Sequence, residues 1–115
     1  MTTSAPKPTR WPAEAARARY NIPQWSEGYV DVNDKGHLTV QPFKQGVAVD
    51  LHDLAQQLPK EGLEWPVLVR FTDILRDRVD ALTGAFAQVI AEYEYRGRYT
   101  AVYPIKVNQQ KAVVQ

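Results

Sequence analysis

The sequence predicts an α/β protein, and three observations carry that expectation. The second half of the chain runs through a short β-rich stretch, a long helical repeat, a second β-rich stretch and the start of another helix. The first half holds a hairpin pattern followed by a short amphipathic helix. Strands that alternate with helices favour parallel pairing through helical crossovers.

The elements follow in order. AEAARARY, Ala13 to Tyr20, gathers good helix formers just after Pro12 and predicts a short helix. NIPQWSEG breaks it, with Pro23 and Gly28 as punctuation. In GYVDVNDKGHLTVQP, Val30 and Val32 alternate with Asp31 and Asn33, and Leu38 and Val40 with Thr39 and Gln41. A period of two predicts strands with one buried face. Asp34-Lys35-Gly36 suits a three-residue hairpin turn with Gly36 in a left-handed position. In DLHDLAQQL, Asp50 is a candidate cap, and Leu51, Leu54, Ala55 and Leu58 form an apolar stripe.

WPVLVRF, Trp65 to Phe71, predicts a short strand. Thr72 or Asp73 then caps a helix running to about Tyr95, its stripe formed by Leu75, Val79, Leu82, Phe86, Val89, Ile90 and Tyr93. Gly84 weakens this helix by roughly 1 kcal/mol relative to alanine. Gly97 is the expected left-handed residue after its end. Tyr99 onward predicts a strand ending near Pro104, which cannot donate to a sheet ladder. Asn108 is a candidate cap for a last helix, QQKAVVQ. The organisation expected is a disordered or loosely helical tail over 1–18, a hairpin and short-helix region over 19–64, and the start of an α/β domain over 65–115.

Composition bounds the function. The chain has 115 residues, with 14 basic against 13 acidic side chains. That balance disfavours a non-specific polyanion binder. With no cysteine, thiol catalysis, disulfides and cysteine-held metals are excluded. No apolar run reaches the ~20 residues of a membrane span, and MTTSAPKPTRWP has no apolar signal core. The cytoplasm is the expected compartment.

The candidate chemistry lies in YTAVYPIKVNQQ, where Lys106 follows the proline at the end of an apolar run. The C-terminal rim of strands is where α/β sheets and barrels build active sites. A lysine amine against apolar walls keeps its charge less well, and the neutral amine forms Schiff bases with carbonyl compounds. Taken alone, a strand-end lysine is more often a solvated surface charge. Tyr103 and Asn108 flank it, and Asn108 has a direct use as a helix cap. His37 and His52 show no convincing ligand spacing. Arg70 and Asp73 bracket the VRFTD turn, more as surface charge and cap than as site residues. Arg76, Asp77, Arg78 and Asp80 form a solvated face, and Trp11, Trp25 and Trp65 are expected to anchor packing.

RYTAVYPIKVNQ resembles the pyridoxal-phosphate attachment segment of biosynthetic arginine decarboxylases. YNIPQWSEGYVDVNDKGHLTVQP from Tyr20, VDLHDL from Val49 and PVLVRFTDILRDRV from Pro66 agree with the same family, so the resemblance spans roughly residues 19–115. It implies that the α/β region is the start of an incomplete pyridoxal-phosphate-binding (β/α)8 barrel, preceded by the hairpin region. It implies a carboxy-lyase of polyamine and spermidine biosynthesis that converts L-arginine to agmatine and CO2. Lys106 would hold pyridoxal 5′-phosphate, with Tyr103 lining it. Mg2+ and a homo-oligomer are implied as well, the metal ligands being unknown; no nucleic-acid or membrane partner is implied. The phosphate loop and substrate-binding acids of the family are not found in the chain, so it is expected to be an N-terminal fragment, inactive alone.

Two other readings stand beside this one. Tyr93, Tyr95, Tyr99 and Tyr103 interleave with Arg96, Arg98 and Lys106, the residue types that grip single-stranded nucleic acid. A non-catalytic assembly module is the other.

Overall fold

The structure, a computed structural model, describes residues 11–115. The expected tail lies outside the described residues up to residue 10. Two units form, divided between Trp65 and Pro66.

The first unit is built on a three-stranded antiparallel sheet in the order β1 (Val30–Val32), β2 (Leu38–Val40), β3 (Val49–Asp50). Val30 pairs with Val40, Asp31 with Thr39 and Val32 with Leu38. The hairpin turn forms as the sequence predicts, with Gly36 at φ +83. The Asn33 side chain supports it by accepting from the amides of Lys35 and His37, each at 3.0 Å. The third strand is too short to show a period of its own. Its pairing of Val49 with Val40 and Asp50 with Thr39 makes β2 the central strand.

Helix α1 (Ala13–Arg19) lies against β1. The NIPQWSEG break is itself a helical turn, α2 (Ile22–Ser26), held between two left-handed residues, Asn21 and Glu27. The small core gathers where α2 meets the hairpin: Ile22, Tyr29, Val32 and Val40 are buried. Alternation is not clean. Thr39 is buried on the face opposite Val40, because α3 (Leu51–Gln57) packs against β2, whereas Leu38 is 43% exposed. The three tryptophans do not anchor this core. Trp11, Trp25 and Trp65 are 57–58% exposed, and the Trp25 indole N–H donates to the Tyr20 carbonyl.

Two carboxylates tie the unit together. Asp31 receives the Arg17 guanidinium, which also donates to the Val32 carbonyl at 2.7 Å and to Glu14 at 3.2 Å. That bond to Arg17 holds the Asp31 carboxyl below its ordinary range. Asp50 caps α3 as expected, accepting from the amides of His52 at 2.9 Å and Asp53 at 3.1 Å. It also accepts from Asn33 at 2.7 Å and His37 at 2.9 Å.

The second unit, Pro66–Gln115, contains no buried residue. Its main element is α4 (Thr72–Glu92), with a short α5 (Lys111–Val114) against it. Neither Thr72 nor Asp73 caps α4 through its side chain; Phe71 occupies the cap position. The helix closes earlier than expected, and Gly97 is not its terminating residue. Glu94 takes the left-handed conformation at φ +48. The Tyr95 amide donates to Ile90 O at 2.9 Å and the Glu94 amide to Ala91 O at 3.3 Å, which is a Schellman closure. The stripe Leu75, Val79, Leu82, Phe86 and Val89 forms as read, yet each is 40–54% exposed.

The two strands expected at 65–71 and near 99–105 are absent from this unit. A strand needs neighbours for its N–H and C=O groups, and a parallel pair is the less stable kind. These segments have the side chains of strands and no sheet to join.

Burial disfavours charge on Asp50, but the Asp53 amide, His37 and Asn33 outweigh it and hold its carboxyl at about 2. A carboxyl depressed on folding stabilises above its unfolded value of ~3.9, and the contribution is lost as pH falls toward the folded value. Circular dichroism across an acid titration is expected to show the first unit weakening from about pH 4 down to pH 2. Asp50→Asn should be less stable at pH 7 and have a flatter acid limb; an unchanged acid limb would contradict this role. At the other unit, Glu94→Gly relieves a left-handed side chain and is expected to stabilise α4 by about 0.5–1 kcal/mol, read from thermal melting of the helical signal.

Candidate functional site

Lys106 sits in a tight turn. The Val107 amide donates to the Pro104 carbonyl at 2.9 Å, so Ile105 and Lys106 are the two central residues. The lysine is exposed. It does not project from a strand rim between apolar walls, as the sequence had suggested, because the strand is not formed. The turn instead presents the amine outward.

Residues on both sides fix the shape of this turn. The Tyr103 hydroxyl donates to the Asn108 carbonyl at 3.4 Å, bridging the turn from flank to flank. Tyr103 is thus brought beside the lysine segment, and its ring is half exposed. Asn108 does not cap α5. Its Oδ1 accepts from the Gln110 amide at 3.0 Å, turning the chain just before the helix, and Gln110 holds the cap position. The Arg70 guanidinium donates to the Gln110 side-chain carbonyl. Arg70 is therefore more than a surface charge: it joins the segment before α4 to the segment that carries the lysine. Asp73 makes no comparable link to this loop.

The chain leading to Lys106 is fastened by aromatic stacking. Tyr99 lies flat on Phe86 of α4, with ring centroids 4.0 Å apart and planes within 6°. A cleft of about 400 Å3 opens beside this pair, lined by Val89, Ile90, Tyr93, Tyr95 and Arg98 as well. One face of Tyr99 is thus taken by Phe86, whereas Tyr93, Tyr95 and Tyr103 are exposed.

A second cluster lies in the first unit. Folding of the hairpin brings His37, Asp50 and Asp53 together, with candidate donor atoms within 4.8 Å of one another. The His52 ring sits 4.3 Å from that of His37, centroid to centroid. The sequence spacing hid this cluster, since its members come from the hairpin and from the start of α3. The donors do not fit magnesium. One is a nitrogen, whereas Mg2+ takes oxygen ligands. Both Asp50 oxygens already accept hydrogen bonds. The cluster also faces the positive end of a helix. It is a structural cap. Lys106, by contrast, offers an accessible primary amine, and that fits covalent attachment of an aldehyde cofactor.

No helix among the described residues is long and apolar enough to cross a membrane. No family model matches the chain. Comparison with individual proteins finds relatives, and about 90% of the chain takes part in the similarity. The relatives are named biosynthetic arginine decarboxylase. The protein of Xanthomonas campestris pv. campestris is 50% identical over 103 residues, which cover 90% of this chain and 16% of the relative. That of Chromobacterium violaceum is 51% identical over 106 residues, covering 91% and 17%. That of Pseudomonas aeruginosa is 50% identical over 108 residues, covering 93% and 17%. The chain is thus similar to an N-terminal part of these enzymes, spanning about a sixth of their length.

The Phe86–Tyr99 stack predicts a measurable coupling. In a double-mutant cycle of Phe86→Ala and Tyr99→Ala, thermal unfolding of the second unit should show an interaction of about 1 kcal/mol between the two rings. Strict additivity would mean that the stack does not fasten the lysine segment.

Proposed function

We propose that this chain is the lysine-bearing segment of an arginine decarboxylase, a carboxy-lyase that converts L-arginine to agmatine and CO2 in polyamine biosynthesis. The observation that carries the proposal is identity near 50% across nine tenths of the chain to proteins of that name. The turn at Lys106 adds chemical support.

Lys106 holds pyridoxal 5′-phosphate through its side-chain nitrogen. When bound, that cofactor supplies an electron sink for the pair left on Cα as the carboxylate departs as CO2. The protein residues have simpler tasks. The turn Pro104–Val107 fixes where the lysine stem begins. Tyr103, pinned by its hydroxyl to Asn108, presents its ring beside the attachment point and shields that side from water. Tyr99, stacked on Phe86, fastens the approach of the chain to α4. Orientation of the bond to be broken follows from how narrowly these contacts restrict the lysine.

In the same reading, residues 65–71 and the run toward Pro104 become parallel strands of a (β/α)8 barrel once neighbouring strands supply their ladder partners. The exposed stripe of α4 is then the face that covers such a sheet. A homo-oligomer in the cytoplasm belongs to the proposal also. Magnesium has no ligands assigned among the described residues.

The test is agmatine release from L-arginine, together with borohydride reduction and mass analysis. In the complete enzyme, Lys106→Ala should lower turnover by several orders of magnitude and abolish the cofactor mass increment at residue 106. The 115-residue chain alone should release no agmatine. Turnover retained by Lys106→Ala, or a cofactor adduct at a different lysine, would overturn the assignment.

A further inference from the structure

We propose that Arg70 is a positioning residue for the lysine-bearing turn, a role that rests on the reading of Lys106 as the cofactor lysine. Arg70 lies just before Phe71, the residue that caps α4. Its Nη1 donates to Oε1 of Gln110, which caps α5 and lies a few positions beyond Lys106. The other bonds of this loop are local. Val107 to Pro104, Tyr103 to Asn108 and Gln110 to Asn108 all close within residues 103–110. They set the shape of the turn and leave its location open. The Arg70 bond spans 40 positions of sequence and ties the loop to the start of α4.

The chemistry suits that task. A guanidinium donating to an amide oxygen makes a charge-assisted bond, stronger than one between neutral groups, and its planar fork limits the directions it accepts. Arg70 is half-buried, so part of its stem is held by neighbours, whereas Gln110 is exposed and gains its order from the bond. Lys106 has a flexible four-carbon stem, so the location of its backbone determines where a group on its nitrogen can sit. Displacement by about 1 Å at such a point costs on the order of 100-fold in rate.

The experiment uses the complete enzyme carrying Arg70→Ala, Arg70→Lys, Gln110→Ala and the double alanine variant, with Lys106→Ala as control. Two readouts are taken: kcat and KM for L-arginine, and the rate and extent of borohydride trapping of pyridoxal phosphate on Lys106 by mass. Arg70→Ala and Gln110→Ala are each expected to lower kcat and the trapping rate by about 10- to 100-fold, with KM changed by less than about threefold. The double variant should be no worse than Arg70→Ala, since both act through one bond. Arg70→Lys keeps a cationic donor and should recover part of the loss. Unchanged trapping and kcat in Gln110→Ala overturns the proposal even if Arg70→Ala fails to fold, because Gln110 is exposed. Full additivity of the two alanine variants overturns it as well. If Lys106→Ala still traps cofactor, on a different lysine, the cofactor-lysine reading has failed independently of Arg70. If Lys106→Ala loses trapping while the Arg70 and Gln110 variants keep it, only the positioning role has failed.

Discussion

The Asp50 carboxylate is the interaction on which the first unit depends. It ends β3, caps α3 and reaches back to the hairpin turn through Asn33 and His37. Three pieces of chain that are short on their own are thereby tied to one charged group. β3 has two residues and α3 has seven, below the length at which either persists unaided. The side chain is mostly shielded, 15% exposed, so leaving any of its lone pairs unmet would be costly. The arrangement meets them all and holds the carboxyl ionised. Arg17 does the corresponding work on the other side of the hairpin, binding Asp31 and the Val32 carbonyl from α1. With only Ile22, Tyr29, Val32 and Val40 as buried apolar side chains among the described residues, polar ties carry an unusual share of the order.

The second unit has the opposite character. It contains a 21-residue helix with a well-formed apolar stripe and nothing buried. A helix of that length has enough internal hydrogen bonds to exist by local propensity, whereas a strand has none of its own. That asymmetry explains why α4 stands while 65–71 and the run before Lys106 lie irregular. The sequence writes the two segments as strands in the same language it uses for β1 and β2. Pairing is supplied for β1 and β2 by a tight turn, and it is supplied for the other two by no neighbour among the described residues.

Legibility followed the same division. The hairpin, its left-handed Gly36, the Asp50 cap and the long helix were readable because each is specified within a few residues. The His37–Asp50–Asp53 grouping was not, because it depends on the hairpin folding back over the start of α3. Glu94 displaced Gly97 as helix terminator for a reason that propensity does not contain: the Schellman bonds from Tyr95 and Glu94 close where Ile90 and Ala91 present their carbonyls. At the candidate site, Lys106 and Tyr103 stood out through a segment resemblance, but the reading put the lysine at the rim of a strand, whereas it lies in a tight turn. The link from Arg70 could not be seen, since a hydrogen bond across 40 residues leaves no trace in either local pattern. The readable clue was weaker, a lone arginine at the end of an apolar run.

A lysine turn without a completed sheet still has a defined shape, and this bears on how such a site is assembled. The bonds across 103–110 are short-range and form without a sheet beside them. Tyr99 against Phe86 and Arg70 against Gln110 connect it to α4 and to the segment just before that helix. The Tyr99–Phe86 stack closes a short loop, whereas the Arg70–Gln110 bond closes one of 40 residues and carries the larger closure entropy. A lysine carried this way sits on a turn shaped by local bonds and fastened to α4 by Tyr99 and to the segment before it by Arg70. Its shape therefore belongs to the bonds within 103–110, and its place beside α4 to those two longer-range contacts.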